Sequence, residues 1–229
     1  MINKHFLEKL LKSGAEMTSG GAHNSQSDIS NKFGSLLKGK GSAALAGGAL
    51  GYLLGSRKGR KLGGKVLTYG GLAALGALAY KAYDNWQQTN QAAASVTPQT
   101  IDKVGANEVD QHCKAILIAV IAAAKADGHI DDRERQIIDA EVAKLTADTE
   151  LLRFVDTQLQ KALDPADVAS QAKSREMAAE MYLASVLVID DESFMERSYL
   201  NELAKQLQLP EGLQAELKQQ VKQAEQLLQ

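Results

Sequence analysis

Residues 177–189 read MAAEMYLASVLVI, in which Met177, Met181, Tyr182, Ala184, Val186 and Ile189 spread apolar surface almost all the way round a helix. A helix apolar on every side has to be surrounded, so this stretch predicts the centre of an all-α bundle. The neighbouring segments supply the surroundings. Ile116, Leu117, Val120 and Ile121 lie at helical spacing on a helix predicted to end near Lys125. Ile137, Ile138, Val142 and Leu145 mark the next, and Leu151, Leu152, Val155, Leu159 and Leu163 mark a third. Asp164-Pro165 places an N-cap before a proline at the first helical position, a start signal. Phe194, Tyr199, Leu200, Leu203 and Leu207 follow the central stretch. Pro210 then opens a helix carrying Leu213, Leu217, Val221, Ala224 and Leu228. No segment alternates with the period of a strand.

Two acidic turns interrupt this pattern. The first is Ala126-Asp127-Gly128-His129-Ile130-Asp131-Asp132-Arg133-Glu134, and the second is Ile189-Asp190-Asp191-Glu192-Ser193-Phe194-Met195-Glu196. Each joins an apolar helix to a new one, a weak internal repeat that would bring both turns to one end of the bundle. Helix capping accounts for part of the acidity: Ser193 with Glu196 fits a capping box, and Asp131 with Glu134 fits one with Asp in place of Ser. Asp127 and Asp190 instead follow helix ends, where an anion is disfavoured. A bound cation or a docked partner would offset that. Oxygen ligands suit calcium or magnesium, and His129 would admit zinc. Gly128 directly after Asp127 does not fit the EF-hand loop.

These turns, with Ala122-Ala123-Ala124-Lys125 ahead of the first and Tyr199-Leu200 and Leu203-Ala204 after the second, resemble the TerB-like domain of tellurite-resistance proteins. They are closest to its branch in YebE-like bacterial inner-membrane proteins. The resemblance covers 105–229. It implies a helical domain whose acidic turns bind a divalent cation or a partner protein, with no established enzymatic activity. The positions that match are Asp127, Asp131, Glu134, Asp190 and Glu196. A glycine-rich membrane segment ahead of the domain is also typical of that branch.

Ahead of the bundle the chain changes character. Residues 1–90 carry 12 Lys+Arg against 4 Asp+Glu, a balance of +8, whereas 91–229 carry 14 against 24, a balance of −10, and the two sum to the net −2. Of the 19 glycines, 16 fall between Gly14 and Gly76. Residues 1–12 read as a short amphipathic helix and 13–40 as a flexible linker. Residues 41–86 form a glycine-rich segment with two uncharged runs, Gly41–Ser56 and Val66–Tyr80, on either side of the basic Arg57, Lys58, Arg60, Lys61 and Lys65. Each run is short of the ~30 Å hydrocarbon core, but the second reaches spanning length if it continues to Trp86. Gly47, Gly51, Gly55, Gly59 and Gly63 recur every fourth residue, a stripe that suits close helix packing or self-association in a bilayer. The expectation is a membrane-inserted hairpin or single span at the bacterial inner membrane. A hairpin buried in a soluble core is the alternative. Residues 87–104 read as a linker and 105–229 as the helical domain.

Several functions fall away. Gly59-x-x-x-x-Gly64-Lys65 has Val66 where a phosphate-binding loop needs Ser or Thr, and no strand precedes it. The basic cluster lacks interleaved aromatics, so no nucleic acid is expected. A single cysteine, Cys113, forms no internal disulfide or Cys-based zinc cluster, and His112 beside it points elsewhere on the helix. The reading is therefore a non-enzymatic, membrane-anchored module whose acidic turns bind a cation or a protein in envelope or metal stress. A metal-dependent hydrolase, or a soluble helical protein whose acids only cap helices, is the alternative.

Overall fold

The computed structural model describes residues 63–89, 98–126, 135–136, 149–189 and 193–226. Among the described residues every regular element longer than two residues is a helix: α1 (Gly63–Thr89), α2 (Ala106–Ala124), α3 (Thr149–Gln160), α4 (Pro165–Ala169), α5 (Arg175–Val188), α6 (Phe194–Gln206) and α7 (Glu211–Gln226). The segments expected over 1–12, 13–40 and 137–148, and the first uncharged run Gly41–Ser56, lie outside the described residues.

Helix α5 is the centre. Of its residues, Met181, Tyr182, Leu183 and Ala184 form a completely buried run, and α1, α2, α6 and α7 all pack on it. Its start is fixed by Ser174, whose hydroxyl accepts the Met177 amide at 3.1 Å. Asp164 likewise caps the short α4, accepting the Ala166 amide at 2.9 Å with Pro165 at the first helical position. The capping box read from Ser193 and Glu196 is present with both bonds at 3.0 Å, so α6 begins where its sequence says it should. Helix α7 turns Leu213, Leu217, Val221 and Ala224 inward, the faces of successive turns.

Helix α1 does not supply the single span expected of Val66–Trp86. The run Val66–Trp86 is part of one 27-residue helix, and that helix lies against α7 and α5. Leu75, Ala79, Ala82 and Tyr83 recur along one face and are buried in the same core as α5 and α7. No described helix is long and apolar enough to cross a membrane. The physical reason is the length of the apolar stretch. Fifteen uncharged residues from Val66 to Tyr80 make about 22 Å of helix against a ~30 Å hydrocarbon core. Beyond them Lys81, Asp84, Asn85, Gln87 and Gln88 make the helix amphipathic rather than interfacial.

The far end of α1 is pinned to the first turns of α7. The Trp86 indole lies so close to Gly212 that a Cβ there would sit 3.2 Å from two ring atoms. Asn85 donates to the Glu216 carboxylate at 3.3 Å, and Tyr83 meets Trp86 edge to face with ring centres 5.6 Å apart.

Candidate functional site

Two helices lead into the two acidic turns: α2 ends at Lys125-Ala126 and α5 ends at Ile189. They run parallel. His112 on α2 meets Glu180 on α5, and further along both helices the Ser185 hydroxyl lies 3.5 Å from the Ala119 carbonyl while donating to Met181 at 3.0 Å. From that second contact Ala126 is seven residues on and Ile189 four. At about 1.5 Å per residue the two chain exits differ in height by roughly 4.5 Å, less than one turn. The ends of α2 and α5, where the two acidic stretches of sequence begin, therefore lie at the same end of the described core.

The first turn is held at both of its ends by α3. The Lys125 ammonium donates to the carbonyls of Gln158 (3.2 Å) and Lys161, at the C-terminal end of α3 where carbonyls lack helical partners. Partial burial of that amine lowers its pKa. On the other side of the turn, Arg135 pairs with Asp156 of α3. Beside Lys125 lies a pocket of about 20 Å³ between α2 and α4, room for a water-sized group.

The sequence-predicted ligands are distributed unevenly. Asp127, Asp131, Glu134 and Asp190 lie outside the described residues, as does His129. Glu196 is described, and it is buried with one carboxylate oxygen accepting the Ser193 amide. That carboxylate serves the helix start. No group of three or more His, Cys, Asp or Glu among the described residues is placed to hold a metal. Of the glycine stripe only Gly63 falls within a described element, as the first residue of α1, and Gly47, Gly51, Gly55 and Gly59 lie outside. Next to Glu196, Phe194 and Met195 are exposed (76% and 56%), an apolar pair at the start of α6.

A second polar constellation lies inside the bundle. Glu180 is 0% exposed on the central helix. One of its carboxylate oxygens accepts the Ile101 backbone amide at 2.5 Å, and the other lies 2.5 Å from Nδ1 of His112, itself 4% exposed. Ile101 belongs to the turn 98–104 that leads into α2. In this stretch, which reads as linker, Thr100 and Ile101 are buried. The Thr100 hydroxyl donates to Asp102 at 2.5 Å, and the Lys103 and Val104 amides donate back to the Thr100 carbonyl. Helix α1 rests on this turn through Gly76, where a Cβ would stand 2.8 Å from both the Asp102 carboxylate and the Ile101 side chain.

Burial raises the Glu180 carboxyl above the ordinary carboxylate range, against the opposing influence of His112 and the Ile101 amide, and Asp102 adds to the rise. Burial pushes the Cys113 thiol up to about 12, with Asp110 and Glu180 contributing. Cys113 is thus an unreactive core residue. The sequence carried one sign of this cluster: Glu180 is the lone charge within 177–189. Its partners could not be read, because His112 and Ile101 are 68 and 79 residues away.

The chain belongs to the family described as protein of unknown function (DUF533), whose model matches residues 39–221. It is similar to the uncharacterized protein in the ampR 5′ region of Yersinia enterocolitica, with 32% identity over 118 residues, 52% of this chain and 85% of that protein. No solved structure matches it.

Proposed function

We propose that this protein works by binding rather than by catalysis, and that the end of the bundle from which the two acidic turns depart is its working surface. The observation that supports the reading is the parallel run of α2 and α5, which brings the helix ends preceding both acidic segments to one end. The TerB-like resemblance fits this arrangement, since it implies paired acidic turns that take a divalent cation or a partner protein. The ligand set for a cation is then Asp127, Asp131, Glu134 and Asp190. Glu196 takes the lesser part, because one of its oxygens is already committed to the Ser193 amide. Calcium and magnesium suit carboxylates alone, and His129 extends the choice to zinc.

Localisation at the bacterial inner membrane goes with this reading through the uncharged Gly41–Ser56 run and its glycines, with α1 serving as the join between that segment and the bundle.

Thermal unfolding of the full chain with and without millimolar calcium, magnesium or zinc tests the cation. A ligand at 100 times its Kd raises stability by about 2.7 kcal/mol, several degrees in Tm. The shift should vanish in Asp127→Asn and persist in Glu196→Gln. A flat response to all three ions removes the cation and leaves protein docking and capping. Retention in the membrane fraction after an alkaline wash tests the anchor, and release into the supernatant rejects it.

A further inference from the structure

The buried Glu180 has a position that its chemistry does not explain by stability alone. Replacing a buried ion pair with apolar residues is often neutral or stabilising, so a carboxylate in the middle of the central helix is a weak way to gain stability. What distinguishes this one is what it holds. Its oxygen on the Ile101 amide fixes the turn 98–104, and that turn is the surface on which Gly76 of α1 rests with no room for even a methyl group. A turn displaced by a few tenths of an ångström would collide with the α1 backbone or leave a gap beneath it.

The contact with His112 makes the hold depend on a proton. Nδ1 and the carboxylate oxygen lie 2.5 Å apart, and with a proton between them the pair is electrically neutral. Without it a net negative charge is left in the core beside Asp102, whose own carboxylate acts against it. The other groups facing the pair do little to relieve this. From α2, Cys113 lies in the same cluster with its thiol protonated. The buried residues of α1 and α7 carry no charge, and on α6 the buried Tyr199 phenol lies near Ser185.

We propose that the Glu180–His112 pair is a proton-operated latch on α1: with its shared proton it holds the turn 98–104 where Gly76 can rest on it, and loss of that proton loosens α1 from the bundle. This inference is independent of the acidic turns.

The single tryptophan of the chain, Trp86, stands on α1 against Gly212 and reports the docking directly. Acrylamide quenching of its fluorescence in the full-length protein, measured from pH 5.5 to 9, should rise at least twofold with one midpoint. Glu180→Gln keeps an acceptor for the Ile101 amide but cannot titrate, so its quenching should stay flat. Asp102→Asn removes the repelling charge while keeping an acceptor for Thr100, and should move the midpoint to lower pH. A wild-type curve without a midpoint overturns the latch, as does a Glu180→Gln curve that tracks the wild type. If Glu180→Gln does not fold, an unmoved midpoint in Asp102→Asn overturns it equally.

Discussion

At the scale of single residues, the closest tolerances are at Gly76. An alanine there would gain about 1 kcal/mol of helix propensity, but its methyl would press on Ile101, on Asp102 and on the Asp102 backbone nitrogen at 3.1 Å. Overpacking of this kind costs about 1–3 kcal/mol, so Gly76→Ala should destabilise on balance, read as a lower midpoint in urea. Glu180 sets a pH dependence whose sign follows from its raised carboxyl. The folded chain holds that proton more tightly than the unfolded one, so the contribution is complete below the unfolded carboxyl range and is lost as pH rises through the raised value. The stability of wild type relative to Glu180→Gln should therefore fall with rising pH in denaturation series at fixed salt. Cys113, buried and raised to about 12, should react with a thiol reagent at pH 8 only as the chain unfolds, at a rate that climbs with denaturant. That Cys113 forms no internal disulfide was legible from the single-cysteine count. The role of Glu180 was not, because a lone acid in an apolar run says that a partner exists and not which one.

At the scale of elements, helix starts were the most legible features. Asp164-Pro165 and the Ser193–Glu196 box act through bonds spanning two or three residues, so the sequence contains both partners. Helix α6 closes with Gln208 at φ 53°, the left-handed conformation usually given to glycine, while the Leu209 amide reaches back to Ala204 and the Gln208 amide to Lys205. A side chain in that conformation costs roughly 1 kcal/mol, part of which glycine returns through its freer unfolded state. Gln208→Gly should raise stability by about 0.5–1 kcal/mol, seen as a Tm increase of a few degrees without loss of helical signal. At this scale α1 lacks the length of apolar helix that a span needs. Its glycines and short apolar run suit a bilayer or a protein core equally, and the deciding fact is the complementary stripe on α7, which local spacing cannot connect to it.

At the scale of the whole molecule, the charge division near residue 90 does not coincide with a division of the core, because Leu75, Ala79, Ala82 and Tyr83 are packed with residues of α5 and α7. A chain beginning at residue 63 should keep the described core, whereas one beginning at residue 98 should lose it in part. Burying Leu75 and Tyr83 contributes about 1.5–3 kcal/mol each, so the shorter chain should be less stable by at least about 3 kcal/mol, or associate through the uncovered face, in urea titration and sedimentation. Equal stability of the two would mean that α1 is dispensable to the fold. The pairing of α1 with α7 also sets a delay on the birth of the protein. Asn85 and its partner Glu216 are 131 residues apart, which at about 5–20 residues per second is roughly 7–26 s of synthesis. Throughout that interval a glycine-rich, apolar helix has left the ribosome before its main partner has been made. The nascent chain thus presents to chaperones and insertion machinery the very surface that the finished protein conceals.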